Sequence, residues 1–162
     1  MSIKHIFFAS RLQAESLRGS ATTAVISIKD PDTEDARLSS HFKYVLRMSF
    51  YDAVPADEFL PAPMPGLFDH IMAREISDFV ALLQSAREDI TVMVHCEYGV
   101  SRSAAVALFV EAYTGVPLTA REFAYDANPW VVDRLLLEND HLQIEIPVKD
   151  PALERRTQQR AA

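Results

Sequence analysis

The feature that most constrains this chain is a junction past its midpoint. Residues 90–94 (ITVMV) form a short, wholly apolar or β-branched run, the pattern of a parallel strand buried on both faces. The nine residues 95–103 (HCEYGVSRS) then lead into SAAVALFVEAYT, an Ala-rich helical stretch that Gly115 can close. A buried strand feeding directly into a buried helix needs a sheet with helices packed against it.

The rest of the chain supplies the other layers. Residues 3–9 (IKHIFFA), 22–28 (TTAVISI) and 41–50 (HFKYVLRMSF) read as strands, the second stopping at the turn signal Asp30-Pro31-Asp32. Ser10 can cap a short helix that Gly19 ends. Leu67, Ile71, Ile76, Phe79, Val80 and Leu83 recur at close to helical spacing, so residues 66–87 read as a helix. Residues 119–127 suggest another, and Pro129 can open a last one running to about His141. Between strand three and the long helix lies a loop holding four of the nine prolines, Pro55, Pro61, Pro63 and Pro65. The expected fold class is α/β: one domain with a mainly parallel central sheet flanked by helices, and a loop between a buried strand and a helix. The domain is expected over residues 1–148, with 149–162 a polar, frayed tail.

Composition narrows the function. The 162 residues carry a formal net charge of −7, which argues against a nucleic-acid partner and requires any anionic substrate to be attracted locally. The single cysteine rules out an internal disulfide framework or a cysteine-rich zinc cluster. No metal-ligand cluster is apparent, and no cofactor is expected. Apolar stretches fall short of the ~20 residues that span a bilayer, and the first residues lack a secretory apolar core. A cytoplasmic enzyme is the simplest expectation.

Cys96 stands at the carboxyl end of the buried strand, where open α/β sheets bind ligands. Successive N–H groups of such a turn, with the first unpaired donors of the next helix, make a concave anion site. The same field favours a thiolate over a thiol. Arg102 can grip two phosphate oxygens with its planar fork, and Gly99 lets the backbone curl close to the anion. Arg102 could instead pair with a carboxylate, although a cation at a helix N-terminus is unfavourable unless an anion is near.

His95-Cys96, five residues, Arg102 and Ser103 resemble the His-Cys-x5-Arg-Ser/Thr signature of the protein tyrosine phosphatase superfamily, and HCxxGxSRS looks like its compact dual-specificity branch. The resemblance implies that Cys96 is the nucleophile and Arg102 the phosphate ligand, with Glu97, Tyr98, Gly99, Val100 and Ser101 wrapping the phosphate. It implies that Ser103 hydrogen-bonds the sulfur and that His95 orients the loop. Ser103 could also be an ordinary helix-start residue, and His95 a satisfied core histidine. The family's general acid is an aspartate near the end of a neighbouring strand. Asp52 fits that place best; Asp57 and Asp69 compete, the latter also suited to favouring a helix dipole. Asn128 resembles a polar residue that supports the catalytic loop, while its position before Pro129 suits an N-cap. Trp130 reads as core packing.

The loop interior holds an acid and no base, which disfavours polyphosphorylated ligands. The expected activity is hydrolysis of phosphomonoesters through a phosphocysteine, with protein phosphotyrosine the first substrate and phosphoserine or phosphothreonine tolerated. The rivals are a non-catalytic phosphoprotein-binding module on the same fold, and a sulfurtransferase or arsenate reductase.

Overall fold

The computed structural model describes residues 2–55 and 65–153. Four strands, β1 (Ser2–Ser10), β2 (Thr23–Lys29), β3 (Tyr44–Ser49) and β4 (Asp89–Cys96), form one sheet in the order β1-β4-β2-β3. Every pairing is parallel. The expected α/β layering is what the chain adopts, and the sheet is wholly parallel over these strands.

The helices are α1 (Arg11–Ser16), α2 (His70–Gln84), α3 (Arg102–Thr114) and α4 (Pro129–Glu138), with a 3-10 turn at Arg121–Asp126. Residues 119–127 therefore carry a tighter helix than expected, entered through Ala120 in a left-handed conformation at φ 58°. α1 begins with a capping box, in which Ser10 Oγ accepts from Gln13 N and the Gln13 side chain accepts from Ser10 N. α2 is shorter than its apolar spacing suggested. Asp69 caps it by accepting from Met72 N at 2.9 Å, and its inward face is Ala73, Ile76, Val80 and Leu83. Ile71 points outward and is 58% exposed.

The central strands and α3 carry the core. β4 is buried from Val92 to Cys96, and α3 is buried at every residue from Arg102 to Val110. A helix that apolar around its circumference has to sit inside the protein. Its small Ala104, Ala105 and Ala107 let it pack close against the strands. Gly115, at φ 76°, ends α3 with its N–H donating to Glu111 O at 2.8 Å. The main core joins α2, α3 and α4 to one set of strand side chains, including Ile6, Ile26, Ile28, Val92 and Val94. Val25 and Met93 face the other way and pack with Ala9, Ala14 and Phe42. The strand ends at Ser10, Lys29, Ser49 and Cys96 thus lie along one sheet edge.

Leu142, Ile144 and Ile146 pack against the main core after α4. Of the expected tail, residues 154–162 lie outside the described residues. Among the described residues no helix is long and apolar enough to cross a membrane.

Phe109 is fully buried in α3, so Phe109→Ala should cost ~3–5 kcal/mol of unfolding free energy. Urea denaturation with an unchanged slope is the expected result; a loss under about 1 kcal/mol would contradict this account of the core.

Candidate active site

The loop between β4 and α3 is shaped by backbone crowding on one side. Gly99 has φ 71°, and a Cβ there would stand 2.5 Å from Ala9 C and from Ser10 N. The glycine is required by the close passage of the loop over the end of β1, a stronger constraint than room for an anion. Elsewhere along the loop the backbone N–H groups are left without backbone partners. Among the described residues, no backbone hydrogen bond uses an N–H of residues 98–104. These donors include the first of α3, where the helix dipole adds a positive field.

Cys96 is buried at the base of this loop, at 3% exposure. Its Sγ lies 3.1 Å from Ser103 Oγ. As a thiol Cys96 donates this bond; as a thiolate it accepts one from the Ser103 hydroxyl. Ser103 is itself fully buried on the first turn of α3.

Arg102 is 4% exposed. Its Nη1 donates to Asp30 Oδ1 and to Phe50 O, each at 2.7 Å. Both protons of that nitrogen are thereby used. Nε is buried with no hydrogen-bond partner. On a planar guanidinium, the edge left is the Nε–Nη2 pair, which can hold two oxygens of one tetrahedral anion side by side. The carboxylate-pairing alternative for Arg102 is therefore real, and it leaves that edge unused. Asp30 had been legible only as a turn residue; nothing in its local sequence links it to Arg102, 72 positions away.

Asp52 follows β3 by three residues and sits over the other flank of the loop. Its Oδ1 accepts from Ser101 Oγ at 2.8 Å and from Asn128 Nδ2 at 2.7 Å. With Oδ1 taking two donors, a proton on this carboxyl is left to Oδ2. Ser101 makes no side-chain cap to α3, because its hydroxyl is turned to Asp52. Asn128 is the N-cap of α4 and also reaches the Asp52 carboxylate. Its Oδ1 caps α4, accepting from Trp130 N and Val131 N, while its Nδ2 reaches Asp52 and Ala53 O. Its own N–H donates to Ser101 O at 3.1 Å. Asp69 is the N-cap of α2, and Asp57 lies outside the described residues.

His95 is 1% exposed. Nε2 lies 2.6 Å from Ser27 Oγ, and Nδ1 lies 3.3 Å from Cys96 O. A carbonyl can only accept, so Nδ1 carries the proton and Nε2 accepts from the Ser27 hydroxyl. Burial pushes the His95 pKa below its ordinary 6.5, against a smaller opposing pull from the Cys96 carbonyl. His95 thus ties β4 to β2 at the foot of the loop.

The remaining loop residues form its outer rim. Tyr98 is 81% exposed and Val100 is exposed too. Glu97 Oε2 lies 3.9 Å from Arg11 Nη1, and its carbonyl accepts from Arg11 N at 3.1 Å. Trp130 stands apart from the loop; its Nε1 donates to Phe68 O at 2.9 Å, and the Arg134 guanidinium stacks 4.0 Å from its ring centroid. Among the described residues there is no group of three or more His, Cys, Asp or Glu side chains placed to hold a metal ion. The chain matches no protein-family model and no curated protein sequence.

Two predictions test this architecture. Gly99→Ala combines a left-handed backbone with a backbone collision, so it should cost about 2 kcal/mol or more and lower the melting temperature by several degrees; an unchanged melting curve would remove the crowding argument. The depressed pKa of His95 makes it a proton-poor group in the folded state. Its stabilising effect is complete above pH 6.5, the unfolded value, and is lost as pH falls toward the folded value. The stability gap between wild type and His95→Gln, measured in urea, should therefore narrow between about pH 7.5 and about pH 5.5. A gap that widens over that interval would reverse the assignment.

Proposed function

We propose that this chain is a cysteine-dependent phosphatase, resembling the compact dual-specificity branch of the protein tyrosine phosphatase superfamily. The observation that carries the reading is the buried, unpartnered Nε of Arg102, on a guanidinium that Asp30 and Phe50 O hold at the first turn of α3, one residue before the Ser103 that meets Cys96 Sγ. A buried donor without an acceptor costs roughly 1–3 kcal/mol, and a phosphate oxygen supplies the acceptor. The unpaired N–H groups of residues 98–104 give further donors for the other equatorial oxygens.

In this mechanism the Cys96 thiolate attacks phosphorus, an S–P bond forms and the P–O bond to the leaving group breaks. Asp52 donates its Oδ2 proton to the departing oxygen. Water then attacks the phosphocysteine and gives its proton to Asp52 as the S–P bond breaks. The Ser103 hydroxyl hydrogen-bonds the departing sulfur, consistent with its 3.1 Å approach to Sγ. Ser101 and Asn128 hold the acid by its other oxygen, and His95 supports the loop from below. Phosphotyrosine in proteins is the first substrate we assign, with phosphoserine or phosphothreonine as secondary ones.

The test is hydrolysis of para-nitrophenyl phosphate in EDTA across pH. Wild type should turn over, Cys96→Ser should lose at least ~10³-fold in kcat, and iodoacetate should inactivate wild type more slowly when vanadate is present. Asp52→Asn should lose part of the rate and flatten the branch of the profile that reports the acid. If Asp52→Asn changes neither, the acid lies elsewhere. Vanadate binding without any wild-type turnover would instead establish the non-catalytic binding module.

A further inference from the structure

Asp30-Pro31-Asp32 reads in the sequence only as a turn signal, but the segment it opens, residues 30–35 (DPDTED), is tied to both ends of the phosphate loop. At one end Asp30 Oδ1 meets Arg102 Nη1 at 2.7 Å. At the other, Arg11 donates Nη1 to Glu34 O at 2.7 Å and Nη2 to Asp35 O at 2.9 Å. The same Arg11 donates its backbone N–H to Glu97 O, at the start of the loop. The segment is therefore fastened to both ends of the loop, and its own turn is fixed by Thr33 N donating to Asp30 O.

Its charges are unevenly used. Asp30 is paired with Arg102, and Asp35 with Lys29 at 3.1 Å. Asp32 and Glu34 are exposed, and their carboxylates make no ion pair or hydrogen bond among the described residues. Arg11 serves the segment's carbonyls and Glu15, and Lys29 serves Thr33 O and Asp35. Arg37 is exposed and gives Glu15 its backbone N–H, and its guanidinium makes no ion pair among the described residues. An anion site ringed by Arg102 and free N–H groups thus has a negative rim immediately beside it. The whole chain, at −7, adds to that sign.

We propose that residues 30–35 select phosphopeptides carrying Lys or Arg beside the phosphorylated residue, with Asp32 and Glu34 as the recognising carboxylates. The inference rests on the phosphate-binding reading of the loop given above. A ligand that is anionic at one point and cationic close by matches the two neighbouring fields. An extended peptide advances about 3.3 Å per residue, so its flanking side chains can follow a rim that runs from Arg102 to Glu97. The same two carboxylates disfavour acidic flanks, nucleic acids and anionic lipid surfaces.

The measurement is fluorescence polarisation of three phosphotyrosine peptides on the full-length Cys96→Ser chain, alike except for Lys/Arg, Ala or Glu flanks. Inhibition of para-nitrophenyl phosphate hydrolysis by the same peptides repeats the ranking on wild type. The basic peptide should bind about fivefold tighter than the alanine peptide, the scale of two exposed ion pairs, and the acidic peptide weakest. The advantage should shrink as salt rises and vanish in Asp32→Asn/Glu34→Gln, which keeps para-nitrophenyl phosphate turnover unchanged. Equal binding of the three peptides, binding of none, or a preference that survives the double substitution overturns the proposal. Hydrolysis without flank preference removes this inference alone; flank preference without hydrolysis leaves it standing and removes the catalytic reading.

Discussion

A guanidinium buried at the first turn of a helix stands at the positive end of the helix dipole, where a cation is least welcome. Arg102 is held there because two acceptors from separate parts of the chain converge on one of its nitrogens: the Asp30 carboxylate after β2 and the Phe50 carbonyl after β3. Much of the site's geometry follows from that convergence. It ties the ends of β2 and β3 to the start of α3, and it fixes which edge of the guanidinium is left over. It also sets one carboxylate directly against the charge of the guanidinium. The remaining cost of burying Nε without a partner is borne by the folded state.

The acid side of the loop is built on the same plan from different residues. Ser101 would ordinarily cap α3, but its hydroxyl turns to Asp52. Asn128 caps α4 with its oxygen and uses its nitrogen on Asp52. A single buried amide therefore links the entry of α4, the loop and the carboxylate. Its two ends have opposite hydrogen-bonding character, which is why capping and support are compatible here and need not compete. An aspartate in the same place would accept at both ends and could not donate to Asp52.

Much of the fold was legible because local pattern and tertiary environment agree. Residues 90–94 are apolar on both faces because β4 is flanked by β1 and β2 and covered on both sides. SAAVALFV carries no polar face after Ser103 because α3 has no solvent face along that stretch. The disagreements arise where a single cap or backbone conformation decides. Asp69 starts α2 after Gly66 and Leu67, whose neighbours made the helix look longer. Ala120 at positive φ admits a 3-10 turn where composition alone suggested an α-helix. In the site, Cys96 could be singled out from its position at the end of a buried strand, whereas Ser103 and Asp52 stood out only through the resemblance to the phosphatase signature. Asp30 could not, because pairing across the sheet edge leaves no periodicity or spacing signature in the chain.

Gly99 shows how one residue can be anticipated for an incomplete reason. The spacing pointed to a glycine that lets the backbone approach an anion, yet the nearest obstruction is the protein's own backbone at Ala9 and Ser10. The loop is pressed onto the end of β1, and the capping box that starts α1 begins at that same Ser10. Arg11, the next residue, reaches back to Glu97 and outward to the 34–35 carbonyls. The end of β1 therefore acts as the fixed wall against which the loop and its acidic border are both set. Because all three are joined through Ser10 and Arg11, the curvature of the loop after β4 and the position of its charged border are not independent: displacing either one requires moving the other.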